Sequence, residues 1–126
     1  MTTPPQKDAK PIWMHPVAAT GYSLAGGRFL MRQRAAQIQL VMGVVTALLF
    51  LVVGVGPVQW GVMAALFLAG LATEALNTAI ELLVDRVSPE ISEFAKHAKD
   101  LGSFAVGCVL LVFVGHALWA LGSALA

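Results

Sequence analysis

The sequence is poor in charged residues and in cysteine. Asp, Glu, Lys and Arg make up only 12% of its 126 residues, whereas 58% are hydrophobic. This composition is typical of a membrane protein and leaves too little polar surface for an ordinary soluble monomer. Cys108 is the only cysteine, which excludes an intramolecular disulfide. The net charge is +1 and no long basic patch is present, so nucleic acid is not an expected partner.

Formal charge is absent altogether from two long stretches. Residues 35–73 and 101–126 contain no Asp, Glu, Lys or Arg and are rich in Leu, Val, Ala, Gly and Phe. Runs of this length and composition indicate membrane spans. The first run is too long for one span, and GVGPVQWG near its middle supplies Gly and Pro for a turn. We therefore predict three transmembrane helices, at about residues 37–55, 59–84 and 101–125.

The N-terminal region lacks the features of a cleavable secretory signal, because four prolines interrupt it and no compact apolar core precedes a cleavage site. Residues 1–11 are predicted to form a flexible tail. Residues 12–36 mix Trp, Phe, Leu and Met with three arginines, a pattern that favours an amphipathic helix at the membrane surface. The predicted fold is therefore all-α and integral to the membrane, with one surface helix and three transmembrane helices.

Basic residues flank the predicted spans unevenly. They precede the first span and lie between the second and third, whereas the loop between the first and second contains none. Because basic loops stay on the cytoplasmic side, the N-terminus and the connection between the second and third spans are predicted to be cytoplasmic.

Six of the seven acidic residues lie between Glu74 and Asp100, where the second predicted span ends and the third begins. Carboxylates are costly in a membrane helix and are usually retained for chemistry. At about 100° per residue, one arc of about 80° on the second helix contains Glu74, Asn77, Glu81 and Asp85, which we call the acidic stripe. The alternative is a buried polar seam that only holds an oligomer together.

Depth along the acidic stripe separates two chemical roles. Glu74 lies about 10 Å deeper than Glu81 by helical rise, which removes it from water and suits a general base. Glu81 lies at the water boundary, where a carboxylate can hold Mg²⁺ on a nucleotide phosphate. Two lysines follow on the third helix, which Ser92 can cap. Lys99 facing the stripe would neutralise phosphoryl oxygens, whereas headgroup anchoring is the simpler interpretation of Lys96.

The segment EALNTAIELLVDRVSPEISEFAKHAKDLGSFAV, residues 74–106, resembles the signature of the prokaryotic diacylglycerol kinase family. Its pattern is E-x-x-N-[ST]-A-I-E-x-x-x-D followed by A-K-D-x-x-[SA], and GYSLAGGR at 21–28 resembles the family's surface-helix motif. The resemblance spans about residues 18–106. It implies that residues 12–126 form a single lipid-kinase domain, a homotrimer of the bacterial inner membrane, which phosphorylates diacylglycerol with ATP and Mg²⁺. Undecaprenol is the alternative lipid.

The resemblance also implies a role for each matching residue. Glu74 would be the catalytic base for the lipid hydroxyl, supported by Asn77, and Glu81 would bind the metal. The implied nucleotide contacts are Tyr22, Glu81, Asp85, Glu90, Ile91, Ser92, Lys99 and Asp100. The implied lipid contacts are Arg28, Glu74 and Ser103, although Arg28 also fits a headgroup anchor.

The chain departs from the family pattern just after the surface helix. Family members commonly have an Asn-Glu or Asp-Glu pair there, whose Glu is the second metal ligand, and this chain has Gln33 and Arg34. His15 stands where the family often has an arginine. Arg34 either binds ATP phosphates directly or pairs with Glu81 and blocks the site. A degenerate, non-catalytic membrane protein is therefore a further alternative.

Overall fold

The computed structural model describes residues 14–126, which form four α-helices and no strand. The second, third and fourth helices are each long and apolar enough to cross a membrane. The predicted all-α integral membrane fold is thereby confirmed. The predicted N-terminal tail and the first two residues of the predicted surface helix lie outside the described residues. The helices are α1 (His15–Leu30), α2 (Arg34–Val53), α3 (Pro57–Val87) and α4 (Glu93–Leu125).

The prediction of one continuous surface helix over residues 12–36 is wrong at its C-terminal end. Helix α1 ends at Leu30, and the turn after it is tightened by backbone hydrogen bonds between residues three apart. Gln33 is then extended, with φ −79° and ψ 136°, and the next residue begins α2. Gln37 Nε2 donates to the Met31 carbonyl at 3.1 Å. This bond occupies a carbonyl that a continuing helix would use, so the chain changes direction here.

The turn between α2 and α3 falls where GVGPVQWG predicts it. Gly54 has φ +77°, a left-handed conformation that glycine adopts without steric cost, and ends α2. The backbone N–H groups of Gly54 and Val55 both donate to the Phe50 carbonyl at 3.0 Å. Pro57 begins α3, where its missing N–H has no helical partner to lose. The turn therefore joins two neighbouring membrane helices with few residues.

A hydrophobic core fills the end of the bundle beside this turn. Phe50 is fully buried, and its ring meets Trp60 edge to face at a centroid distance of 5.5 Å. His116 Nε2 lies 3.0 Å from the Gln59 carbonyl oxygen and so links α4 to the start of α3. The outward surfaces of α2, α3 and α4 expose many large aliphatic side chains, as expected for helices in contact with lipid or other apolar helices. The hydrophobic core stabilises one end of the bundle, and the acidic stripe lies toward the other end.

Candidate active site

An open cleft of about 370 Å³ lies where α2 begins, bordered by α2, α3 and α4. We call it the polar cleft. Three of the four members of the acidic stripe line it, together with both residues of the departure from the family pattern. Its lining is Gln33, Arg34, Ala35, Glu74, Asn77, Thr78, Glu81, Ser103 and Val106.

Three of the lining residues, Glu74, Asn77 and Thr78, are polar side chains buried within the bundle. Glu74 is 4% exposed and Asn77 is 7% exposed, although many neighbouring side chains on α3 are exposed. Asn77 Nδ2 donates to Glu81 Oε1 at 3.1 Å, a contact that residues four apart on one helix face can make. Among the described residues Glu74 has no hydrogen-bond partner. The site therefore presents one carboxylate oriented by an amide and a second, deeper carboxylate that is available to a ligand.

Helix α4 approaches α3 closely at Asn77. A Cβ built on Gly102 would overlap the Asn77 side-chain oxygen, so only glycine fits this contact as it stands. A Cβ built in the same way on Gly107, further along α4, has no atom within 4 Å. Among the glycines of α4, the requirement for glycine is thus specific to the position that faces Asn77. The α3–α4 contact thereby fixes the amide that orients Glu81.

Lys99 forms an ion pair outside the polar cleft. Its Nζ donates to Asp85 Oδ1 at 2.5 Å, and the two side chains are 39% and 63% exposed. Pairs exposed to this degree contribute about 0–1 kcal/mol to stability. Asp85 is about 16 Å from Glu74 by helical rise, so it is too far along α3 to share the cleft. The pair joins the end of α3 to the first turns of α4.

Ser92 is the N-cap of α4, as the sequence predicts. Its Oγ accepts a hydrogen bond from the Ala95 backbone N–H at 3.1 Å and lies 3.0 Å from Ser88 Oγ. Glu90 and Ile91 are exposed in the connection before it. The serine pair therefore closes the α3–α4 turn, and this segment lies outside the polar cleft.

The structure brings together only part of the predicted site within a single chain. Glu74, Asn77, Glu81 and Ser103 share the polar cleft. Tyr22 and Arg28 are exposed on α1, and Asp100 is exposed on α4. The residues proposed for the site that do not line the cleft are Tyr22, Arg28, Asp85, Glu90, Ile91, Ser92, Lys99 and Asp100.

Thr78 is a lining residue that the sequence analysis missed. It is buried and follows Glu74 by one helical turn. Its helical angle lies about 40° from Glu74, just outside the arc of the acidic stripe, so a slightly wider projection would have included it. Gln39 on α2 is also buried, and its Nε2 has no partner among the described residues. A polar residue in a long uncharged run was the only sequence signal for it.

A second cleft, largely apolar, lies between α1 and α3 and has a volume of about 750 Å³. We call it the apolar cleft. Phe29 and Leu30 of α1 face Leu71 and Leu82 of α3 across it. Thr78 lines both clefts. An apolar space open to the helix exterior therefore adjoins the space that contains the carboxylates.

The described residues fit a metal ion only if the ion is bound together with a nucleotide. Within residues 14–126 no group of three or more His, Cys, Asp or Glu side chains could hold a metal. Mg²⁺ on a nucleotide, however, needs only one or two protein carboxylates, with phosphate and water oxygens completing its shell. Glu81, oriented by Asn77, fits that requirement. The polar cleft thus suits a metal that arrives with a nucleotide.

The fold and the polar cleft define a helical membrane protein with a buried carboxylate, Glu74, and a partly exposed one, Glu81, beside an apolar cleft. A family model described as prokaryotic diacylglycerol kinase matches residues 21–121. The chain is similar to a diacylglycerol kinase from Sinorhizobium sp, with 48% identity over 97 residues that cover 77% of this chain and 71% of the relative. It is also similar to the diacylglycerol kinase of Pseudomonas aeruginosa, with 44% identity over 95 residues, 75% of this chain and 77% of the relative.

A third similar protein is the diacylglycerol kinase of Escherichia coli, with 32% identity over 99 residues that cover 78% of this chain and 81% of the relative. The chain therefore belongs to the prokaryotic diacylglycerol kinase family. The resemblance found in the motifs is confirmed, and the protein is a bacterial membrane enzyme of the lipid kinase class.

Proposed function

We propose that the chain transfers the γ-phosphoryl group of ATP to the hydroxyl of diacylglycerol, which gives phosphatidic acid. The observation that carries the proposal is the buried Glu74 in a cleft that also contains Glu81 and adjoins the apolar cleft through Thr78. Lipid chains suit the apolar cleft and phosphates suit the polar one. The names of the similar proteins support the choice of diacylglycerol.

In the proposed reaction Glu74 is the general base. The lipid hydroxyl enters sideways from the bilayer, and its oxygen forms a bond to the γ-phosphorus as the bond from phosphorus to the ADP oxygen breaks. The hydroxyl proton passes to the Glu74 carboxylate, whose described surroundings provide no competing hydrogen bond. Asn77 holds Glu81 toward the nucleotide. Positioning of the two reactants provides much of the acceleration.

The nucleotide is proposed to be ATP with Mg²⁺ at Glu81, where the metal would neutralise phosphate charge when bound. Residues with proposed nucleotide roles that lie outside the polar cleft of one chain, such as Tyr22 and Asp100, fit a site completed by a neighbouring subunit. A homotrimer with shared sites is therefore part of the proposal. The site is proposed to face the cytoplasm from the bacterial inner membrane, on the side indicated by the basic residues.

Lys99 is expected to contribute to nucleotide binding, and Lys96 provides a matched control one turn earlier on α4. When the Lys99 ammonium leaves Asp85 and donates to a phosphate oxygen of ATP instead, it forms a charge-assisted hydrogen bond with the nucleotide. We expect Lys99→Met to raise the KM for ATP by about 10- to 100-fold. Lys96→Met, which removes an exposed lysine with no described contact, should change KM by less than about threefold. Equal effects of the two variants would contradict a nucleotide role for Lys99.

The lipid is tested by offering diacylglycerol and undecaprenol separately, at equal mole fraction in mixed micelles, to the purified protein with γ-labelled ATP. We expect kcat/KM for diacylglycerol to be at least about tenfold higher, a difference of about 1.4 kcal/mol in transition-state binding. A preference for undecaprenol would identify a polyprenol kinase. Label in neither lipid would favour the non-catalytic alternative, which the sequence leaves open because Arg34 stands where the family commonly has an acid.

A further inference from the structure

Arg34 lines the polar cleft together with two carboxylates, Glu74 and Glu81. The blocking ion pair between Arg34 and Glu81 is not found. Across residues 14–126, the ion pair formed is Lys99 with Asp85, and Arg34 makes no described hydrogen bond. A guanidinium in a cleft with carboxylates that does not pair with them remains available to an anionic ligand. Its planar donor groups match phosphate geometry.

The backbone beside Arg34 adds to this preference. Arg34 is the first residue of α2, and the N-cap, Gln33, makes no side-chain capping bond. The first N–H groups of a helix have no partner within the helix, and they carry partial positive charge. Gln33, Arg34 and Ala35 all line the polar cleft, so this end of α2 borders the same space as the guanidinium. Together they favour phosphate at the start of α2.

The charge in the cleft sets which species binds there. With Glu74 and Glu81 ionised, Arg34 gives its charged lining a formal charge of −1, whereas an acid at position 34 would make it −3. The difference equals the charge of one Mg²⁺ ion. A site of −3 repels a metal-free nucleotide strongly, and the present lining repels it far less.

We propose, on the basis of the kinase function above, that Arg34 binds nucleotide phosphates and replaces the charge of a second protein-bound metal ion. Its guanidinium and the N-terminal N–H groups of α2 hold the phosphates, while Glu81 remains the single carboxylate for a metal that accompanies the nucleotide. The chain therefore binds ATP even when no divalent metal is present, as well as in its presence.

The test is calorimetric titration of ATP into the purified full-length protein in micelles, in EDTA and in Mg²⁺, with inorganic triphosphate as a second probe. The wild type should bind ATP in EDTA with a Kd within about tenfold of the value in Mg²⁺, and should also bind triphosphate. Arg34→Gln should raise the Kd in EDTA by about 10- to 100-fold. Arg34→Lys should recover part of the loss, because the charge is restored without the planar donors.

Arg32→Gln is the matched control, since Arg32 is exposed, lies two residues earlier and does not line the polar cleft. It should leave the Kd in EDTA within about twofold of the wild type. The inference is overturned if the wild type binds no ATP in EDTA, or if Arg32→Gln and Arg34→Gln weaken binding equally.

Lipid phosphorylation separates this inference from the kinase function on which it rests. Metal-free binding that depends on Arg34, in a protein that phosphorylates no lipid, would support the inference and remove the kinase function. Lipid phosphorylation in Mg²⁺, with metal-free ATP binding that is unchanged in Arg34→Gln, would support the kinase function and remove the inference about Arg34.

Discussion

Glu74→Gln is expected to lower kcat for phosphoryl transfer by about 100- to 10,000-fold, the usual contribution of a general base. Gln has nearly the same shape as Glu but cannot take the hydroxyl proton. The affinity for ATP should change by less than about threefold, because the nucleotide is held by other groups. The measurement is the rate of label transfer from γ-labelled ATP to lipid over a range of ATP concentrations. Circular dichroism of the variant should match the wild type.

Glu93→Gln is the control for this change. Glu93 is exposed in the first turn of α4 and lies outside the polar cleft. Its replacement removes one negative charge near the same end of the bundle and should leave kcat within about twofold of the wild type. If Glu74→Gln retained wild-type transfer, Glu74 would not be the base, whatever the behaviour of Glu93→Gln.

Gly102→Ala is expected to damage both stability and activity, because the added methyl group overlaps the Asn77 side chain. Relief of the overlap requires α3 and α4 to separate or Asn77 to leave Glu81. Overpacking of this kind costs about 1–3 kcal/mol. Loss of the bond from Asn77 to Glu81 should lower kcat by about tenfold or more. Thermal unfolding and the transfer assay measure the two effects separately.

Gly107→Ala on the same helix distinguishes the contact from a general effect of alanine. No atom lies within 4 Å of the added Cβ, and alanine favours helix over glycine by about 1 kcal/mol. This variant should be as stable as the wild type or more so, with unchanged kcat. A similar loss in both variants would show that the approach of α4 to Asn77 is not what positions the site.

The sequence predicts the spans because charge is a strong signal in a membrane. The uncharged runs and the Gly-Pro turn indicate α2, α3 and α4, and each is found. The end of α1 could not be predicted in the same way. It depends on the extended Gln33 and on the bond from Gln37 to Met31, a contact that closes only after the chain has turned.

The helical projection correctly predicts which residues share one face of α3, but it does not predict how far along α3 the polar cleft extends. Glu74, Asn77 and Glu81 share the polar cleft, as their common face indicates. Asp85 has a similar angle but lies past the end of the cleft, where Lys99 pairs with it. Angle is set by sequence spacing alone, whereas the length of a cleft depends on the neighbouring helices. The approach of α2 through Arg34 could likewise be located only in three dimensions.

The most direct test of a lipid kinase site at the polar cleft is the mass of its product. The purified protein is incubated in mixed micelles with diacylglycerol and ATP whose γ-phosphoryl oxygens carry a heavy isotope, and the lipids are analysed by mass spectrometry. Attack by the lipid hydroxyl on phosphorus predicts phosphatidic acid that carries the label, formed by the wild type and hardly at all by Glu74→Gln. Labelled inorganic phosphate with no labelled lipid, or labelled lipid formed equally by both proteins, would contradict the proposed role of Glu74 in this cleft.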